Sequence, residues 1–400
     1  MHTAMMKWLL GCGLMATIAV SLAADPAMSA KPKKPRPELG ASAAFSPDGD
    51  LYAVTKAGEH VLLHRSRDDG QSWMPPQRVN AQAEAISADG ENRPKVAFVA
   101  DGTTLVSWTM PLSKPFTAAI RLARAEPGAA FSSPLTVHRD TAEITHRFES
   151  LHVGSDGRVS LAWIDKRDLE AHKRTGAPYR GAAIYAAVSS DGGRSFAPEF
   201  KLADHSCECC RIAAATDRDG APLFLWRHVF APNERDHALA KLGADGQPEA
   251  MLRATFDRWK VDGCPHHGPS LAVGSTGVRH AVWFNQVNGE GRVFYGQLPQ
   301  KPGEQVKAQR QVGTAGAVHA DLAVGGDGAG ERILIVWKRF DGEVTRLEAE
   351  ISEDGGKRFR AIELARSDNA TDQPRIAQKR GRFFVLWNDD KVGLRVFPVN

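Results

Sequence analysis

A short β-rich run ending in tryptophan returns six times along the chain, at Trp108, Trp163, Trp226, Trp283, Trp337 and Trp387. The intervals are roughly 50 to 60 residues. Each run follows another strand-like run, usually across a glycine turn, as in KVAFVADG, SLHVGSDG, IAAATDRDG, SLAVGSTG and DLAVGGDG. Residues 41–56 fit the same template without the tryptophan, which brings the copies to seven. The runs are short, alternate in polarity and end at Asp-Gly or other glycine turns. No stretch carries a helical period capped at both ends. Sheets of about four strands at such a period stack as propeller blades. A large flat indole at one fixed strand position fills the gap between consecutive blades. The expected fold is therefore all-β: a β-propeller of seven four-stranded blades, with six as the alternative.

A second motif runs in phase with the first. Residues Ser66 to Trp73 read S-x-D-x-G-x-x-W, and Ser189 to Phe196 and Ser352 to Phe359 match with phenylalanine last. A worn copy lies between Arg124 and Phe131. The pattern suits a tight hairpin turn, in which the aspartate bonds turn amides and glycine takes a positive φ. These residues resemble the Asp-box (BNR) repeats of the sialidase-like β-propellers, over about residues 41–400. The resemblance implies that Asp68, Asp191 and Asp354 are structural turns away from the catalytic face. Sialidases have six blades, which is the source of the six-blade alternative. The last copy shows about three strands, and residues 33–40 are a candidate for its fourth, closing the ring.

Composition narrows the class. At 400 residues, 42% hydrophobic and 24% charged, the chain can bury a large core. A mean hydropathy of −0.33 with one long apolar run, at the N-terminus, excludes a polytopic membrane protein. With 51 basic against 47 acidic residues there is no electrostatic reason to expect nucleic-acid binding. Residues 1–30 read as a secretory signal: Lys7, an apolar run from Trp8 to Ala23, then small residues. A periplasmic or secreted protein is expected, without a transmembrane segment in the mature chain, and as a monomer. The alternative is a lipid anchor on Cys12, since Leu9-Leu10-Gly11-Cys12 resembles a lipoprotein cleavage box. Residues 31–40 form a basic, proline-rich arm, and 41–400 a single propeller domain.

Propeller connectivity itself places a site. Residues just before each first strand, and just after each tryptophan, converge around the central axis at one face. The first set holds Asn92 and Arg93; His146, Arg147 and Glu149; Cys207 to Arg211; Cys264, His266 and His267; His319 and Asp321; Gln373 and Arg375. The second holds Asp165 to Arg167, Arg227 and His228, Asn285, Lys338 and Arg339, Asn388 and Asp389. All four mature cysteines fall there, so the functional site is expected there. Arg93, His146, Arg147, Arg211, Arg227, His228 and Arg375 are candidates for binding a glycan or small anionic ligand.

The sharpest feature is S-C-E-C-C-R at 206–211 followed by D-G-C-P-H-H-G-P at 262–269, in consecutive repeats. In an oxidising compartment these four cysteines can form disulfides. Alternatively Cys207, Cys209, Cys210 and Cys264, with His266, His267 and His319, are soft ligands suited to copper or zinc. Reactive thiols are a third possibility. The CxCC and GCPxxGP segments also resemble a subgroup of bacterial secreted sialidase-like propellers, which supports a shared site and names no reaction.

Sialidases use an arginine triad, a tyrosine paired with a glutamate, and an aspartate acid. Arg93, Arg147, Arg211 and Arg375 are triad candidates, since guanidinium forks match carboxylates. The family's Phe/Tyr-Arg-Ile-Pro signature is absent, and Tyr52, Tyr179, Tyr185 and Tyr295 have no evident glutamate partner. A two-carboxylate glycosidase would draw on Glu149, Asp165 or Asp321, with Glu208 beside them. The leading expectation is an exported propeller binding a ligand or a soft metal ion at a Cys/His/Arg-lined face. A glycoside hydrolase of sialidase type and an envelope interaction scaffold are the alternatives, and whether the chain is an enzyme stays open.

Overall fold

The computed structural model describes residues 37–243, 245–326 and 330–400. The signal segment, Cys12 and most of the basic arm lie outside these residues. Alternating short strands joined by tight turns have one easy solution, the antiparallel meander, and the chain repeats it seven times. The seven innermost strands are Ser42–Phe45, Lys95–Phe98, His146–Val153, Ala213–Thr216, Ser270–Val273, Val318–Gly325 and Arg375–Lys379. Each packs beside the next, and the last packs beside the first. The fold is a closed, seven-bladed β-propeller.

Burial follows from this stacking. Seven apolar clusters occur among the described residues, each built from two adjacent blades. All six repeat tryptophans are at most 3% exposed. Five also satisfy the indole N–H: Trp108 on Glu84, Trp163 on Asp165, Trp283 on Asp257, Trp337 on Glu348 and Trp387 on the Asp372 carbonyl. An aromatic ring can therefore be buried without stranding its donor.

Six sheets have four strands; the seventh, Arg375–Val399, has three among the described residues. Residues 37–40 are not a strand, so the described part of the candidate closing segment adds none. The interface of blades 7 and 1 mixes apolar and polar contacts. Ala41, Ala53 and Leu386 are buried there, Ala43, Trp73, Leu394 and Val396 pack against them, and Phe45 meets Phe384 edge-on at 5.0 Å. Across it the Ala41 amide donates to Asp372 and Asn388 donates to the Leu39 carbonyl.

The three aspartate turns share one hydrogen-bonding scheme, at the face opposite the mouth. In the first, Ser66 donates to Asp68 (2.7 Å), the Gly70 amide to Ser66 (2.8 Å) and the Ser72 amide to Asp68 (2.9 Å). Asp191 and Asp354 repeat it. The worn copy lacks the serine and aspartate at those positions, and closes through the Ala129 amide on the Glu126 carbonyl and the Ser132 amide on the Arg124 carbonyl. One helix, Arg167–Thr175, follows the second strand of blade 3 and ends at Gly176 with φ 72°. It buries no side chain, which is why no apolar period announces it.

Candidate functional site

Glu91 organises the mouth. It precedes the first inner strand of blade 2 and is 3% exposed. Its carboxylate accepts from the Arg211 amide (3.1 Å), Arg211 Nη1 (2.9 Å) and the Gly268 amide (3.0 Å). The His319 ring lies 3.6 Å away. Burial opposes ionisation of Glu91, but Arg211 and then His319 outweigh it and hold its carboxyl well below the usual range. One carboxylate thus ties the CxCC segment to the GCPxxGP segment. Gly268 is required for this approach: a Cβ there would meet the Arg211 backbone at 2.7 Å. Arg211 also donates to the Pro269 carbonyl (2.9 Å) and the Ala320 carbonyl (2.5 Å), joining blades 4, 5 and 6.

Two more of the candidate arginines share the axis. Arg93 forks onto Asp372 at 2.7 and 2.9 Å and also reaches Gln373 Oε1 (3.1 Å). Arg375 donates to the same Gln373 oxygen (3.0 Å) and to the Pro374 carbonyl (3.3 Å). No carboxylate pairs with Arg375 at ion-pair distance among the described residues. Burial, with Arg211 and Arg93 nearby, lowers its pKa to about 9. Arg147 stands apart from this group, 3.5 Å from Asp89 and stacked 5.0 Å from the Phe148 ring centroid.

The cysteines form a second focus. Cys207, Cys209 and Cys210 are 1%, 5% and 2% exposed, inside the apolar cluster of blades 3 and 4. Their sulfurs all lie within 4.8 Å of one another. Cys207 is 3.8 Å from both Cys209 and Cys210. No disulfide joins any of the four described cysteines. Cys264 is exposed and lines one cavity together with Cys209. Hydrogen bonds from Cys209 and Cys210, with Arg227 and Arg235 behind them, hold Cys207 well below the usual thiol range. The same hydrogen bonds to Cys207 push Cys209 and Cys210 up.

Two guanidiniums face this cluster without a carboxylate partner among the described residues. Arg227 is 0% exposed. It donates to the carbonyls of Arg235 (3.0 Å), His267 (3.1 Å) and Phe284 (2.6 Å), and its Cζ lies 5.0 Å from the Trp259 ring centroid. Arg235 donates to Asn233 and approaches the Cys207 sulfur at 3.7 Å. A buried cation without a counter-charge is costly, so Arg227, with the half-buried Arg235 beside it, calls for negative charge on the sulfurs.

The remaining candidates scatter. His267 stacks on Phe284 (4.0 Å between ring centroids), and His319 is 4.3 Å from His267, so these rings sit beside Glu91. Burial, with His319 and Arg227 adding, lowers His267 to about 2. His266 is exposed and lines the cavity described next. His146 bonds the Ala118 carbonyl and stacks on His138 at 3.9 Å. His228 packs on Phe230. Glu149 is fully buried and binds Lys95, Ser107 and Thr109. Asp165 binds Trp163 and Arg167, and Asp321 binds Ser270 and the Ile376 amide. Glu208 pairs with Lys166. Each of these carboxylates already has protein partners.

A cavity of about 700 Å³ opens at the mouth between blades 2 and 3. Cys209, Cys264, His266, Arg147, Phe116 and Phe148 are among its lining residues. Glu91, Asp372 and Arg235 escaped the sequence reading. Glu91 and Asp372 each stand one position upstream of a residue that connectivity had singled out, and only their burial distinguishes them.

Solved structures share the architecture. A protein of unknown function from Dyadobacter fermentans is 14% identical, over 80% of this chain and 95% of its own, with a TM-score of 0.54. The polysaccharide lyase Uly1 is 9% identical, over 92% and 91%, with a TM-score of 0.55. The α-L-arabinofuranosidase Arb93A from Fusarium graminearum is 12% identical, over 82% and 96%, with a TM-score of 0.50. No family model matches the sequence, and no curated protein does. At such identities the likeness is one of fold, shared by propellers that include glycoside hydrolases and lyases.

Proposed function

We propose that this chain is an exported propeller that binds one soft metal ion, copper(I) ahead of zinc(II), through Cys207, Cys209 and Cys210. The observation that carries this reading is the packing of three buried sulfurs, two of their spacings 3.8 Å and the third within 4.8 Å, with no bond between them. Sulfurs ~2.3 Å from a shared ion sit ~3.8 Å apart in tetrahedral geometry and ~4.0 Å apart in trigonal geometry. Charge favours the monovalent ion. Three thiolates on copper(I) carry two negative charges, which Arg227 and Arg235 match. Zinc(II) prefers a fourth ligand, and among the described residues no imidazole joins the three sulfurs within 4.8 Å. Residues 1–30 supply the export signal in this reading.

Metal analysis of the reduced, purified chain tests it. One copper(I) per chain is expected in the wild type, and none that survives a competing chelator in Cys207→Ser. A wild type that takes up neither copper(I) nor zinc(II) with its thiols reduced ends the proposal.

Arg375 favours a second reading, an acidic sugar or small carboxylate held at the axis, because among the described residues no carboxylate lies within ion-pair distance of its guanidinium. Titration with uronic acids and sialosides should then give binding that Arg375→Ala removes. Identical heats for the two proteins would dismiss it.

A further inference from the structure

The four sulfurs are graded in exposure. Cys264 is exposed, Cys209 is 5% exposed, and Cys210 and Cys207 are 2% and 1%. Only the outer two line the 700 Å³ cavity. The inner two are packed with Phe148, Ile164, Phe224 and Trp226. A metal ion reaching the buried trio therefore meets Cys264 and Cys209 first. The segment bearing Cys264 has no strand or helix but is pinned on both sides. Asn233 donates to Asp262 (2.6 Å) before it, and the Gly268 amide donates to Glu91 after it.

We propose that Cys264 is a receiving thiol: it takes copper(I) from a small thiol complex bound in the cavity and passes it inward. This rests on the metal-binding reading above. The thiolate of Cys264 bonds to copper(I) as one thiolate of the donor leaves. The proton shed by Cys264 goes to that leaving thiolate through water, and copper stays monovalent. Cys209, which lines the same cavity, then displaces the donor's remaining thiolate and gives it its proton; Cys207 adds to copper, its proton passing to solvent, and Cys210 replaces Cys264, whose sulfur takes the Cys210 proton. The walls formed by Phe116 and Phe148, with Arg147 at the rim, suit a compact thiol carrying carboxylates.

The experiment uses the reduced, metal-free full chain and copper(I)–glutathione, without oxygen. Uptake is followed by the thiolate-to-copper absorption band, and affinity by competition with a copper(I) chelator. Cys264→Ser should still bind one copper(I) with little change in affinity, while loading slows by about tenfold or more. Thr117→Trp, which narrows the cavity without touching a sulfur, should slow loading as well. Loading of both variants at the wild-type rate overturns the receiving role. So does loss of affinity in step with rate in Cys264→Ser, which makes Cys264 a permanent ligand and leaves metal binding standing. A wild type that binds no copper(I) defeats the metal reading itself.

Discussion

Single residues decide how the mouth is held. Glu91 gathers two backbone amides and one guanidinium from separate blades, so its loss strands a buried Arg211. Glu91→Ala is expected to cost about 3–5 kcal/mol of unfolding free energy, the usual penalty for halving a buried ion pair. Urea denaturation measures it, and a change below about 1 kcal/mol would mean solvent reaches the site. Residue roles were the least legible part of the sequence. The clustering of cysteines could be read directly, because propeller connectivity alone brings 207–211 beside 264. Their state could not, since spacing does not distinguish a bond from a shared ion. Nor could the division of the arginines. Arg93 and Arg211 are engaged by Asp372 and Glu91, Arg375 has no such partner among the described residues, and Arg147 lines the cavity. Those differences come from carboxylates that look like ordinary loop residues in the chain.

At the level of elements, the aspartate turns do more than reverse the chain. The last glycine of each turn presses on the preceding blade: Gly70 on Val396, Gly193 on Leu105 and Gly356 on Tyr295. A Cβ at Gly193 would approach Leu105 at 3.0 Å, from a backbone at φ 81°. Gly193→Ala should therefore destabilise by about 1–2 kcal/mol through backbone strain alone, read from the thermal midpoint. The carboxylates of these turns also respond to acid. Hydrogen bonds from the Ser72 hydroxyl and amide, then Ser66, lower Asp68 from 3.8 to about 2. Its contribution is full above pH 3.8 and is lost as pH falls through about 2. The gap in urea midpoint between wild type and Asp68→Asn should be constant from neutrality to pH 5 and close between pH 4 and 2. A gap that persists at pH 2 would show that the carboxylate charge is irrelevant. Strands and turns were legible because glycine, aspartate and alternating polarity act locally. The Arg167–Thr175 helix was not, because it has no buried face to leave a period.

For the whole molecule, seven repeats meant seven blades: the six repeat tryptophans each pack into one interface, and the interface of blades 7 and 1 closes without one. Stability should also track the buried histidines. Burial, then His146, lowers His138 to about 4; burial, then His205, lowers His228 to about 3. The unfolded chain takes up these protons first, near pH 6.5. Stability is thus full above pH 6.5 and declines as pH falls toward the folded values, by about 1.4 kcal/mol per pH unit for each histidine. Urea unfolding at pH 7.5 and pH 5 checks this; equal free energies would contradict it. A final consequence follows from how the ring ends meet. Among the described residues the first and last sheets exchange no strand and are fastened by a polar clasp, the Ala41 amide on Asp372, which Arg93 of the second blade also grips. A necklace gives way at its clasp: on warming, amide exchange should quicken first in the two blades flanking it, while the far arc stays protected.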